Sequence, residues 1–407
     1  MFDTGNTGFM LLSTSLVMLM TPGLAFFYGG LVGRKNVLTI MMQSFVSMGV
    51  TTVLWVLVGY SMCFSGTFGH GDFGGIIGNF HNAFLQGITP MSVFQGNSSI
   101  PVYVFMVYQM MFAIITPALI TGAFANRVNF KAYLLFLIAW LLFVYFPAVH
   151  MIWGGGLLAH LGVLDFAGGI VVHTIAGMAA LASVFYVGKR KFADLGPHSI
   201  PLVALGTGLL WFGWYGFNAG SELKVDSVTA LAFANTDIAG SFAAVVWLLL
   251  AWRHEKQPKL VGLLTGAVAG LATITPCAGY VGIPAAIVIG CLSSVVCFYA
   301  VNLKTLMGWD DALDVWAVHG VGGILGTICL GVFAVKAVNA AGADGLLAGN
   351  THFFLVQTIT VIAMSAYAFL FTFVMLKVIN VITPVVATEE EQQAGLDEAL
   401  HGEIAYV

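Results

Sequence analysis

The sequence predicts an all-α integral membrane protein of eleven transmembrane helices, arranged as two inverted five-helix repeats plus a peripheral eleventh helix. Three observations predict it. Of 407 residues, 59% are hydrophobic and only 8% charged, whereas soluble domains carry roughly 25% charged residues. A water-soluble fold of this length has too few charges to cover its surface, and a disordered chain shows the opposite balance. Apolar runs of about 20 residues, the length that crosses a hydrocarbon core, recur along the chain. The few basic residues segregate to one side of those runs.

In order, the runs fall at roughly 8–32, 40–63, 102–125, 132–153, 166–187, 201–220, 229–251, 260–278, 284–302, 312–334 and 353–377. The alternating pattern of a membrane barrel is absent. The polar start lacks a basic n-region, so the first run is expected to remain in the mature protein. Arg34 and Lys35 follow the first run, Arg127 and Lys131 the third, and Lys189, Arg190 and Lys191 the fifth. Arg253, Lys256 and Lys259 follow the seventh, Lys304 the ninth, and Lys377 closes the eleventh. Only Lys224 and Lys336 of the 14 basic residues fall elsewhere. The positive-inside rule makes the rich side cytoplasmic, with the N-terminus outside and the C-terminus inside. Domain limits follow: a transmembrane unit over 1–379 and a cytoplasmic tail over 380–407.

Five spans from outside followed by five from inside is the inverted arrangement of many transport folds. Repeat one covers about 8–187 and repeat two about 201–334, with helix eleven at about 353–377. Phe27-Tyr28-Gly29-Gly30 matches Trp214-Tyr215-Gly216-Phe217 loosely. Asp165, His173 and Gly177 recur at the same spacing as Asp311, His319 and Gly323.

Ionisable groups within a membrane are costly and call for a partner and a purpose. His173 and His319 lie at matching repeat positions, so an in-plane axis brings them together near the midplane. Paired neutral imidazoles share one hydrogen bond and still present polar edges to a solute. The plainer reading is that each ties two helices together. Asp165, near the outer end of the fifth run, caps a helix start or supports a bound cation. Asp310, Asp311 and Asp314 are expected to be solvated or capping. Trp153, next to Gly154-Gly155-Gly156, is either a belt anchor or a ring offered to a vestibule. With Phe112 and Tyr108 it makes a candidate cation–π site worth about 0.5–2 kcal/mol.

Other classes are excluded or left without support. A net charge of −4 with no basic stripe argues against nucleic acid. No phosphate-binding loop occurs, so ATP hydrolysis is not expected. The five cysteines read as buried thiols. Gly262, Gly266 and Gly270 read as close helix packing. The tail carries six acidic residues beyond the last run, and its apolar interruptions suggest a segment that docks.

The chain resembles the ammonium transporter (Amt/MEP/Rh) family, in its bacterial or archaeal Amt branch, over essentially its whole length. The stretches that carry the resemblance are Pro22 to Leu31, His150 to Leu158, Leu164 through His173, Gly213 to Ser221, Thr275 to Tyr280 and Asp314 to Gly320. The resemblance implies a homotrimer in the cell membrane with a pore through each subunit. It implies that ammonium is recruited at Phe112, Trp153 and Ser221, with Tyr108 where relatives often have Phe. Phe112 and Phe217 would form the gate, His173 and His319 the pore pair, and Asp165 and Trp214 the support. Gly395, Asp397, His401 and Glu403 look like the family's regulatory tail, which implies a PII-type signal protein as partner. No metal or cofactor and no enzymatic activity are expected. The mechanism expected is deprotonation of ammonium and passage as ammonia. The competing readings are an ammonium sensor signalling through the tail, a channel for another small neutral gas, and a haem protein with the two histidines as ligands.

Overall fold

The computed structural model describes residues 2–94, 96, 99–192 and 196–406. Among them, ten helices are long and apolar enough to cross a membrane. They are α1 (Thr4–Leu31), α2 (Val37–Phe64), α3 (Val102–Ile120), α4 (Phe130–His160), α5 (Gly169–Val187), α6 (Ile200–Glu222), α7 (Ser227–Glu255), α9 (Ile283–Leu306), α10 (Trp316–Phe333) and α11 (Thr351–Ile382). A shorter apolar helix, α8 (Leu260–Ile274), lies between α7 and α9. No sheet forms among the described residues, which hold only isolated bridges. In hydrocarbon a helix satisfies its own backbone groups, which explains this exclusive use of helices.

Each expected run meets a helix, with displaced ends. The run at 260–278 ends as a helix at Ile274, and two tight turns carry the chain on through Tyr280. The eleventh run, expected at 353–377, is longer as a helix: α11 runs from Thr351 to Ile382. Hydroxyls inside the helices are absorbed locally: Thr207 donates to the Val203 carbonyl at 2.8 Å and Thr273 to that of Ala269 at 2.8 Å. That back-bonding removes the cost of a polar group among apolar ones.

Glycines let the helices meet backbone to backbone. A Cβ on Gly206 of α6 would stand 2.3 Å from the Phe27 nitrogen of α1. One on Gly270 of α8 would stand 2.4 Å from the Ala243 Cβ of α7. The tightest crossing joins α5 to α10, where a Cβ on Gly177 would fall 2.0 Å from the Gly320 nitrogen. Its counterpart on Gly323 would fall 2.7 Å from the Gly169 carbonyl oxygen. Small residues at such crossings replace the hydrophobic drive that lipid does not supply.

At the end of the bundle rich in Lys and Arg, the aspartates are more than solvated. Asp310 accepts from the Arg190 guanidinium at 2.7 Å and backbone at 2.6 Å, and Arg127 approaches it at 3.5 Å. Burial raises the Asp310 carboxyl, but the two guanidinium groups outweigh it and hold it below the usual range. Burial pushes Arg127 down to about 10, against the attraction of Asp310. Asp311 is buried and accepts from the Trp316 nitrogen at 2.7 Å, capping the start of α10. Asp314 pairs with Lys304 at 2.7 Å.

Candidate functional site

One wall of the candidate site is built on Asp165. Its Oδ1 accepts from the Gly168 and Gly169 nitrogens at 2.9 and 2.6 Å. Its Oδ2 accepts from Ile170 and Val171 at 2.8 and 3.0 Å. Gly168 is at φ +119°, a conformation that L side chains avoid, so the chain turns sharply into α5 there. Burial raises the Asp165 carboxyl, while the four N–H groups favour its anion. The Asp165 carbonyl in turn accepts from Trp153 Nε1 at 2.8 Å and fixes the half-buried indole at the mouth.

Below the indole the rings stack inward. Phe112 meets Trp153 edge-to-face at 5.8 Å and 88°, and Phe217 at 4.3 Å and 37°. Both Phe rings are about 1% exposed, so the pair is buried. Ser221 stands beside them, donating to the Phe217 carbonyl at 2.8 Å. The Tyr108 hydroxyl is committed to the Gly216 and Phe217 carbonyls at 2.9 and 3.0 Å, with Ser221 Oγ at 3.2 Å. Its ring packs behind Phe112 rather than lining the mouth.

Past the Phe pair lies a cavity of about 20 Å³, lined by apolar residues of α1, α3 and α6 together with His173 and His319. That is room for about one water-sized molecule. The histidines meet Nδ1 to Nδ1 at 3.2 Å, their rings stacked at 20°. One Nδ1 donates and the other accepts, which needs no charge on either ring. His173 Nε2 is buried with no hydrogen-bond partner among the described residues. Trp214 stacks on His173 at 5.6 Å, its Nε1 held by Thr275 Oγ1 at 3.0 Å. His319 also lines a second cavity of about 280 Å³, walled by Asp314, Arg190 and Tyr28, toward the basic end.

The tail residues come together on the same chain's basic end. Asp397 is buried and accepts from the Leu38 and Thr39 nitrogens at 3.0 and 2.7 Å, at the start of α2. Gly395, at φ +105°, lies against Lys35, where a Cβ would come within 2.4 Å of the lysine side chain. His401 packs edge-to-face on Phe130 at 5.0 Å, and the Glu403 nitrogen reaches the Asp397 carbonyl at 3.4 Å. The tail thus docks, as its apolar interruptions lead one to expect.

The profile of the Ammonium Transporter Family matches residues 8–406. The chain belongs to the ammonium transporter family. It is 45% identical over 404 residues to an ammonium transporter of Bacillus subtilis, covering 99% of this chain and 98% of that one. Among solved structures, Saccharomyces cerevisiae Mep2 superposes with a TM-score of 0.87 at 33% identity, over 96% of this chain and 88% of that one. A protein described as a sensor Amt protein superposes with a TM-score of 0.88 at 28% identity, over 98% of each chain. This member of the ammonium transporter family also holds polar groups that the sequence reading did not single out. Gln357 of α11 clamps both the nitrogen and the carbonyl of Leu164, at 3.0 and 2.7 Å. Asn218 binds Thr236 at 2.9 Å just beside Phe217. Gln357 was detectable as an amide inside an apolar run, and Asn218 within the stretch ending at Ser221.

Proposed function

We propose that this chain, as its family membership supports, carries ammonium nitrogen across the cell membrane through a narrow path within the subunit. Eleven helices cross, α8 among them, in two inverted five-helix repeats with α11 outside the pair. The mirrored contacts of Gly177 and Gly323, and the mirrored caps of Asp165 and Asp311, support the repeat. The transmembrane unit covers 1–379 and the tail 380–407, the N-terminus is outside and the basic end is cytoplasmic. The assembly is a homotrimer, and the docked tail face is where a PII-type signal protein would bind.

Ammonium is recruited at Trp153, Phe112 and Ser221, where ring faces and a hydroxyl replace part of its water shell. Tyr108 orients Ser221, Asp165 holds the end of the path at Trp153, and Trp214 backs His173 in the small cavity. Phe112 and Phe217 form the gate. A charged ion pays several kcal/mol or more to enter a dry cavity of water size. Ammonium avoids that cost by giving its proton to water at the recruitment end, and ammonia passes the His173–His319 pair. Potassium has no proton to leave. The carrying observation is the Nδ1–Nδ1 pair in a cavity of about 20 Å³ directly beneath the packed rings of Trp153, Phe112 and Phe217.

Ammonium uptake and current in proteoliposomes, with potassium as competitor, test this. Saturable uptake of ammonium without potassium entry is expected. No flux from correctly inserted protein would overturn it and favour the second reading, an ammonium sensor, which the likeness to the sensor Amt protein supports.

A further inference from the structure

His150 precedes Trp153 by one helical turn, yet neither of its ring nitrogens faces the path. Nδ1 lies 2.9 Å from the Cys63 carbonyl at the end of α2, and Nε2 lies 3.3 Å from Asp72 Oδ2 in the polar 65–100 segment. The two side chains are 0% and 2% exposed. A carbonyl oxygen only accepts, so Nδ1 carries a hydrogen. An ionised carboxylate also only accepts, so the contact is closed by a second proton, held on Nε2 or on Asp72. Breaking a buried pair of this kind leaves the surviving group without a partner and costs more than the pair itself contributes.

The pair joins the outer segment to the turn that carries Trp153. Phe68 donates to the Gly155 carbonyl at 2.9 Å, and Leu157 to that of Gly75 at 2.8 Å. The fit has no slack: a Cβ on Gly154 would stand 1.9 Å from the Cys63 carbonyl oxygen, and one on Gly156 2.5 Å from that of Gly75. The indole is therefore held from one side by Asp165 and from the other through His150. We propose that Asp72 and His150 are positioning residues for ammonium capture, clamping the outer segment onto the Gly154–Gly156 turn so that Trp153 keeps its place over Phe112. The inference rests on the recruitment role given to Trp153.

Uptake kinetics of the full chain in proteoliposomes test it with Asp72→Ala, Trp153→Phe and the double variant. Asp72→Ala is expected to raise the KM for ammonium about tenfold with kcat within about twofold, the signature of lost capture rather than lost passage. In the Trp153→Phe background the same substitution is expected to change KM less than about twofold, because coupled residues are not additive. Asp72→Asn is expected to recover most of the loss, since its amide donates to Nε2 of the neutral ring. If Trp153→Phe leaves KM unchanged, the recruitment reading fails. If Trp153→Phe raises KM and Asp72→Ala multiplies it equally in both backgrounds, recruitment stands and the clamp is overturned. His150→Gln, which keeps a donor near the Cys63 carbonyl but loses Asp72, runs the same cycle should Asp72→Ala not assemble.

Discussion

Two imidazoles bonded Nδ1 to Nδ1 each leave one Nε2 edge, and here the His173 edge is buried without a hydrogen-bond partner among the described residues while His319 faces both cavities. Such an arrangement suits a small solute that both gives and takes a hydrogen bond, which ammonia does. His173→Ala or His319→Ala removes that edge and enlarges a cavity of about 20 Å³. Conduction should then fall or lose its discrimination against potassium, while the protein stays folded; unchanged ammonium-over-potassium selectivity in both variants would end the histidines' assigned role. Asp165 poses a different test, because its two oxygens satisfy four backbone N–H groups. Asp165→Ala leaves these buried donors unmet at about 1–3 kcal/mol each. A loss of roughly 4 kcal/mol or more is expected, read as a collapse in the yield and melting temperature of detergent-purified protein, with Asp165→Asn between the two.

The helices themselves were legible because hydrocarbon imposes length and apolarity, and the runs from 8–32 to 353–377 all reappear as helices. The matched positions of His173 and His319 also led to the expectation that the two rings meet, and their Nδ1 atoms lie 3.2 Å apart. What the sequence could not announce are pairings between distant segments of ordinary polar residues. Asp72 lies in a loop with no motif, and only the fold brings it to His150; Gln357 is one amide in a long apolar helix until Leu164 reaches it. Gly177→Ala tests the α5–α10 crossing: a methyl 2.0 Å from the Gly320 nitrogen cannot be accommodated without parting the helices. The expected result is lost uptake together with a lowered melting temperature, whereas Gly8→Ala, at an open position, leaves both intact. Asp311, at the start of α10, gives a pH signature. Burial raises its carboxyl from 3.8 to about 6, so the folded protein holds this proton more tightly than the unfolded chain. Its contribution is fully present below pH 3.8 and is lost as pH rises through about 6, a change of about 3 kcal/mol at 1.36 kcal/mol per pH unit. The melting temperature of Asp311→Asn relative to wild type should therefore rise between pH 4 and pH 7; a constant difference would show that Asp311 does not titrate in that window.

For the molecule as a whole, the tail ties both ends of the basic face into one body. Asp397 offers a carboxylate to the start of α2, where unpaired N–H groups and the helix dipole favour an anion. Tyr406 accepts or donates to His198 Nε2 at 2.9 Å, and Arg34 lies over its ring at 5.3 Å. His198 follows Gly196 and Pro197, which wall the second cavity, the one His319 also lines, together with Arg190. Ala387 and Val385 close the other side, pairing with Arg127 and Asn129, and Arg127 sits in the Asp310 cluster. A release of the tail is therefore expected to loosen the wall into which His319 opens. Asp397→Ala removes three hydrogen bonds to α2, counting the Thr39 hydroxyl at 2.8 Å. Limited proteolysis between Thr383 and Tyr406 should quicken at least about tenfold, as expected of a segment whose local opening has become easier. Coupling of this kind is worth about 0.5–2 kcal/mol, so uptake should fall about 2- to 30-fold, and a chain ended after Thr383 should fall to the same level. Faster cleavage with wild-type uptake in both variants would make the tail a docked appendage with no hold on the path; a fall in both, with the His173–His319 region otherwise untouched, would make the wall at the basic end the point through which the tail acts on flux.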